Sequence, residues 1–379
     1  MKIAILGPAF PYRGGIANFS ERLANEFLQS NDEVHLFTFK MMYPDFIFPG
    51  KTQYAETPLH FPLTITRNIN SVNPLNWRNV GKQLQQQNFD IILVSYSIPF
   101  LGPSLGRIAR IAKKNKHTKI ISIIHNLNPH EKRIGDSVLS NYFLNSCDAH
   151  LALSKKVEED ILAKDKVHPV IYYPHPVYDN FGEVIDKKQA KNKLQLDENT
   201  SYILFFGLIR EYKGLDLLLH AMANTKLKNE NIKLIIAGEF YSDIEKYQTI
   251  IKENGIENNV LIYNQFIPDN EVNTYFCASD LVVQPYKHAT QSGITQICYH
   301  FNKPMIVTNV GGLPETVPNN IVGYVCEPNA ESIANSISKF YTEKKESEFV
   351  QNILIEKQKY SWNGLVEKLK IGILLEENK

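Results

Sequence analysis

Arg210 and Lys213 stand three residues apart in FFGLIREYKGLDLLL, where an apolar run breaks into a short loop and resumes with helical spacing. Two cations at the carboxyl end of a strand suit a diphosphate, whose charge they neutralise through charge-assisted hydrogen bonds. As plain solvated charges they would sit at a helix start, where the helix dipole disfavours cations, so their placement argues for a bound anion. A second stretch, ATQSGITQICYHFNKPMIVTN, sets Gln291, Ser292, Gly293, Ile294 and Thr295 at the start of another helix. Its hydroxyls, amides and backbone N–H groups make an anion-receptive terminus, although a polar turn capping a helix has the same composition.

In GPAFPYRGGIANFSERLA, Gly14 and Gly15 occupy a third loop between strand and helix. Unhindered backbone amides there suit a phosphate, while the plain alternative is a chain turn. The stretch has neither the glycine spacing of a dinucleotide fingerprint nor the lysine of a P-loop. In IIHNLNPHEKR, His125 ends a strand, followed by His130 and Glu131. A strand-end imidazole can hydrogen-bond a sugar hydroxyl, and His130 with Glu131 form an acceptor-side base or orienter; a structural histidine and an exposed ion-pair partner are the competing readings.

Groups so placed require strands that end where these loops begin. Short apolar runs alternate with amphipathic stretches, the pattern of βαβ units in parallel sheets covered on both faces. Strands are expected at 2–7, 33–39, 90–96, 119–125, 149–154 and 170–174, then at 202–207, 232–238, 260–264, 280–285 and 304–309. Phe19, Leu23, Ala24 and Phe27 form one stripe and predict a helix over 17–29. Further helices start near 215, 243, 271 and 294, and KKQAKNKL is helical. Residues 41–77, with Pro44, Pro49, Pro58, Pro62 and Pro74, read as an irregular excursion. The polar stretch 175–200 separates two similar series, so the expected fold class is α/β, with two Rossmann-like halves facing across a cleft. The final YSWNGLVEKLKIGILLEENK predicts a helix whose apolar face needs covering.

With 379 residues, the chain is too long for one ordinary core, and an apolar fraction of 43% with 21% charged residues is that of a globular protein. A net charge of +1, with no helix-turn-helix, finger or aromatic RNA-binding pattern, argues against nucleic acid. Cys147, Cys277, Cys298 and Cys326 are scattered without metal-ligand spacing, which suits a reducing compartment and a packing role. MKIAILGPAF is too short for a signal peptide, and no apolar run approaches twenty residues.

Taken together, these stretches resemble the retaining glycosyltransferases of the family-four group, with the two-Rossmann-domain GT-B fold, which also includes sucrose synthase-like and bacterial polysaccharide enzymes. The resemblance covers most of the chain and is strongest over 202–317. It rests on FFGLIREYKGLDLLL with KPMIVTNVGGLPE, and on the Gly14-Gly15 loop and HNLNPHE in the same order. It implies an acceptor-binding domain over 1–178, a nucleotide-sugar-binding domain over 179–361 and a helix over 362–379 crossing back onto the first. It also implies a UDP- or GDP-sugar donor, a glycan or lipid-linked glycan acceptor, retention of configuration in surface-polysaccharide synthesis, and neither metal nor cofactor.

Carried over by position, Arg210 and Lys213 grip the diphosphate, and Gly15, beside Gly14, approaches it. Backbone atoms of Phe266 and Ile267 read the base. Gln291, Ser292, Gly293, Ile294 and Thr295 serve the phosphates and the sugar, and His125 contacts the sugar in the transition state. The resemblance implies front-face attack in which the departing phosphate takes the acceptor proton, so the protein stabilises charge rather than supplying a nucleophile.

One departure bears on this reading. Many relatives carry two glutamates seven residues apart where this chain has ATQSGITQICY, yet no acid lies between Pro285 and Glu315, and Gln291 and Gln296 are the nearest polar stand-ins. An amide hydrogen-bonds hydroxyls but lacks a carboxylate's charge. A non-catalytic nucleotide-sugar-binding subunit and a nucleotide-sugar epimerase are the alternative readings. The expected location is cytoplasmic, peripheral on the membrane's inner face if Arg107, Arg110, Lys113, Lys114, Lys116 and Lys119 contact anionic lipid.

Overall fold

The run KIAIL forms β1 (Lys2–Leu6), in which Ile3, Ala4, Ile5 and Leu6 are all fully buried. A parallel strand covered on both faces has no side to give to polar residues, which is why its sequence reads as one apolar run. The computed structural model describes residues 1–43, 53–54, 61–127, 134–228, 230–289 and 292–377. The chain divides into two units, Met1–Pro176 with Ser361–Lys379, and Val177–Tyr360.

In the first unit, β1 is joined by β2 (Glu33–Met41), β3 (Ile65–Asn70), β4 (Ile91–Tyr96), β5 (Lys119–Ile124), β6 (Ala149–Ala152) and β7 (Val170–Tyr172). All pair in parallel, in the order β3-β2-β1-β4-β5-β6-β7. The order reverses between β1 and β4, which are neighbours. In the second unit, β8 (Ser201–Phe206), β9 (Ile232–Ala237), β10 (Val260–Tyr263), β11 (Leu281–Gln284), β12 (Met305–Thr308) and β13 (Gly323–Cys326) are likewise parallel, in the order β10-β9-β8-β11-β12-β13. Here the reversal falls between β8 and β11. Such switch points leave a crevice at the carboxyl ends of the strands, because the loops on either side depart in opposite directions.

Two strands and a helix depart from the sequence expectation. β3 lies inside the stretch read as irregular, and of its residues only Ile69 is fully buried. It is an edge strand whose polar side chains bond locally: Arg67 donates to the Phe39 carbonyl at 3.0 Å, and Asn68 donates to Gln83 at 2.9 Å. The helix Pro74–Gln87 follows, capped by the Asn73 side chain, which accepts from the N–H groups of Leu75 and Asn76, with proline in its first turn. β13 is a four-residue edge strand with glycine at its first position, too short to announce itself. The four cysteines are buried and unbridged.

The polar segment between the two series is fastened rather than loose. Its helix Lys187–Lys193 is capped by Asp186, and Lys187 pairs with Asp280 at 2.7 Å and with Glu346 at 2.5 Å. Asp280 in turn accepts from the Tyr202 N–H at 2.8 Å, tying the segment to the first strand of its unit.

The last helix, Trp362–Glu377, belongs to the first unit and packs on the helix Gly15–Gln29. Trp362 is buried against Phe19, ring centroids 5.2 Å apart, with the Arg22 guanidinium 5.2 Å from its own ring, and Lys370 pairs with Asp32. Trp362→Ala is expected to cost the first unit about 3 to 5 kcal/mol. Urea unfolding followed by a probe in that unit measures it, and an unchanged midpoint would show that the helix is held elsewhere.

Candidate functional site

The loops that follow β8 and β11 flank the second unit's switch point, and they carry the cations and the polar turn singled out in the sequence. After β8, the chain turns at Gly207 and reaches Arg210, then a short 3-10 turn, Glu211–Lys213, before the helix Leu215–Met222. Three residues apart in sequence, the two cations differ in environment. Arg210 is exposed, its guanidinium 5.3 Å from the Tyr241 ring centroid. Lys213 is buried, with its ammonium against Gly207, where an added Cβ would come within 3.1 Å of it.

Burial, reinforced by the nearby Arg210 charge, lowers the Lys213 ammonium to about 8. The acids of this loop and of the helix turn after it are taken by other lysines: Glu211 pairs with Lys246 at 2.8 Å and Asp216 with Lys287 at 2.7 Å. Among the described residues, no carboxylate pairs with Lys213. A buried cation without a counter-ion is unfavourable, and an anionic ligand would relieve it.

Beyond β11, Ser292 caps the helix Gly293–His300, its hydroxyl accepting from the Ile294 N–H at 3.3 Å. Thr295 is buried and shares hydrogen bonds with Gln284 at the end of β11, so the first helical turn is fixed to the sheet. Gln296 is buried too, and its Oε1 has no hydrogen-bond partner among the described residues. Gln291 lies outside the described residues. Phe266 and Ile267 leave the end of β10 at the same carboxyl edge of the sheet, Ile267 buried and Phe266 half-buried.

In the first unit, Gly14 caps the helix Gly15–Gln29 with a φ of 111° and no side-chain hydrogen bond, and an added Cβ there would meet nothing within 4 Å. That helix start, with its positive dipole end, is therefore open at Gly14. His125 follows β5 directly, and its N–H donates to the Tyr96 carbonyl at the end of β4 at 2.9 Å. The imidazole is buried edge-on to Phe19, centroids 5.1 Å apart, and the same Phe19 ring meets His175 at 5.1 Å. Burial, and then the neighbouring His175, lower His125 to about 3, while burial lowers His175 to about 4. Both rings are neutral at physiological pH, so His125 works as a hydrogen-bonding group and not as a cation. His175, whose Nδ1 donates to the Pro176 carbonyl at 2.8 Å, went unnoticed in the sequence because it stands in a polar segment with no periodicity. His130 and Glu131 lie outside the described residues.

The basic stretch is less available than its composition suggests. Arg110 donates to Ser146 at 2.8 Å and stacks on Tyr142, and Lys113 pairs with Asp148 at 3.0 Å, whereas Arg107, Lys114 and Lys116 are exposed. Among the described residues, one group of metal-ligand type converges, His150, Asp165 and His168. Asp165 Oδ2 accepts from both rings, at 3.0 and 2.7 Å, and its Oδ1 accepts from the N–H groups of Val167 and His168. With Ser122 Oγ at 2.7 Å from His150 Nδ1, this network secures the turn before β7 and satisfies the carboxylate by itself.

Residues 13–178 match the family described as Glycosyltransferase Family 4, and residues 186–354 match Glycosyl transferases group 1. An uncharacterized glycosyltransferase of Methanocaldococcus jannaschii is 23% identical over 97% of this chain and 96% of its own. The lipopolysaccharide 1,2-N-acetylglucosaminetransferase of Salmonella typhimurium is 25% identical over 48% of this chain and 50% of its own. Among solved structures, Anabaena HepE in complex with UDP superposes with a TM-score of 0.73 at 17% identity, covering 100% of both chains. The two parallel-sheet units are thus the Rossmann-like units of the GT-B fold.

The two buried histidines set a pH dependence. Their native values lie below the ordinary value near 6.5, so between pH about 6.5 and about 4 the unfolded chain binds protons that the native chain excludes. Stability from these groups is therefore full above about 6.5 and falls on acidification. Thermal unfolding from about pH 7 to about pH 4.5 is expected to show a shallower fall for His125→Gln than for the wild-type chain. Parallel curves would mean that the ring is not held neutral by its surroundings.

Proposed function

Because the chain belongs to the glycosyltransferases that join a Family 4 half to a group 1 half, we propose that it moves a sugar from a nucleotide diphosphate donor to a glycan or glycolipid acceptor with retention of configuration. The observation that carries this reading is the buried Lys213 ammonium, set at the switch point beside Arg210 while the loop's acids are paired elsewhere. A diphosphate supplies the missing negative charge, and the start of the helix Gly293–His300 adds a positive dipole end and the Ser292 hydroxyl. These groups lower the barrier by stabilising the leaving diphosphate, which needs preorganised donors rather than a pair of carboxylates.

In this reading the second unit holds the donor, with Phe266 and Ile267 at the base. The first unit holds the acceptor, with Gly14 and Gly15 offering a helix start and neutral His125 bonding a sugar hydroxyl. UDP in the HepE structure and the lipopolysaccharide activity of the Salmonella relative support a uridine nucleotide and a surface-glycan acceptor. A lipid-linked acceptor places Arg107, Lys114 and Lys116 against anionic headgroups, which flotation on vesicles with and without phosphatidylglycerol reads directly.

Calorimetry with UDP and GDP tests the donor site. Lys213→Ala and Arg210→Ala are each expected to weaken nucleotide binding about 10- to 100-fold, the scale of losing a hydrogen bond to a charged group. Wild-type affinity in both variants would refute the assignment. The lowered Lys213 value adds a sign: the free protein loses this proton above pH about 8, so affinity is expected to fall as pH rises through that value, and the fall to vanish in Lys213→Met. Slow hydrolysis of the bound nucleotide sugar distinguishes a transferase from a subunit that only binds.

A further inference from the structure

Residues 285–287, which leave β11 at the switch point, are fixed from both sides. A Cβ at Gly214, whose φ is +67°, would sit 2.0 Å from the Pro285 carbonyl oxygen, so only glycine lets the Lys213 turn approach this closely. The Lys287 N–H donates to the Tyr212 carbonyl at 2.7 Å, and Lys287 Nζ pairs with Asp216 at 2.7 Å. From β12, Thr308 Oγ1 donates to the Tyr286 carbonyl at 2.6 Å.

The side chain between these anchors reaches both halves of the candidate donor site. Tyr286 is 4% exposed, edge-on to Tyr212 with centroids 6.1 Å apart. The Lys213 ammonium lies 5.7 Å from its ring centroid, and its hydroxyl is 3.3 Å from Ser292 Oγ. Cations favour an aromatic face, so the ring gives the uncompensated ammonium a partial partner that does not compete with an anion for it.

We infer that Tyr286 is a positioning residue for the donor site: its phenol donates to Ser292 Oγ and turns the Ser292 hydroxyl hydrogen toward the anion held by Lys213. A serine oxygen has two lone pairs and one hydrogen. The Ile294 N–H occupies one lone pair at 3.3 Å; with the Tyr286 O–H, 3.3 Å away, donating to the other, the serine hydrogen remains to be given to a phosphate oxygen. Burial pushes the Tyr286 phenol up, so it keeps the proton it donates. The inference rests on the donor-site reading above, and its test separates the two.

Calorimetry with UDP and GDP on the full chain compares the wild type with Tyr286→Phe, Ser292→Ala, the double variant and Lys213→Ala. Tyr286→Phe keeps the ring and is expected to bind about fivefold more weakly, the effect of one lost hydrogen bond, with its thermal midpoint little changed. Added to Ser292→Ala, it is expected to cost nothing more, because the two residues act through one hydrogen bond. A merely structural tyrosine would lower the midpoint and leave affinity alone. Wild-type affinity in Tyr286→Phe, or additive losses in the double variant, overturns the inference while a weakened Lys213→Ala leaves the donor site standing. Wild-type affinity in Lys213→Ala, or no binding of either nucleotide by the wild type, overturns both.

Discussion

A sheet whose strands all run the same way delivers every strand end to one edge, and the remaining features of this molecule follow from that constraint. In each unit the strand order reverses once, between β1 and β4 and between β8 and β11, and the residues that could do chemistry cluster beside those reversals. Gly14 follows β1, Arg210 and Lys213 follow β8, Ser292 follows β11. The sheet interior is apolar and holds its strands rigidly, so the polar groups need only short loops to be placed accurately.

Charge then decides what such an edge can bind. A surface lysine would be solvated and carry little information, but Lys213 is inside, with another cation nearby and its neighbouring acids engaged by Lys246 and Lys287. That arrangement keeps an electrostatic deficit in the folded protein, which an anionic ligand would relieve. In the first unit the opposite tactic is used: burial keeps His125 and His175 neutral, so these rings can offer hydrogen bonds without adding positive charge.

Much of this was legible in the sequence for a physical reason. Strands buried on both faces are largely apolar, and β1, β4, β5, β8 and β9 stand out as such runs, those of β1, β5 and β8 being followed by the loops that carry candidate groups. β3 was hidden because an edge strand bearing Thr66, Arg67 and Asn68 has little to bury, and β13 because four residues make no pattern. Arg210 and Lys213 look equivalent in the sequence, and only the close turn at Gly214 sends one inside and leaves the other exposed. Tyr286 carries no signal at all: its role comes from what β8, β11 and β12 bring around it, and three strands distant in sequence are not adjacent in any local pattern.

The helix Trp362–Glu377 has a consequence for how the molecule is made. The second unit is one uninterrupted length of chain, Val177–Tyr360, whereas the first is split, its sheet at the beginning and its covering helix at the end. During synthesis, Phe19 and Arg22 emerge before the second unit, but Trp362, which packs on them, follows only after it. The first unit is thus completed only after the whole of the second has been made, and until then it waits with the Phe19 ring beside His125 and His175 uncovered on one side.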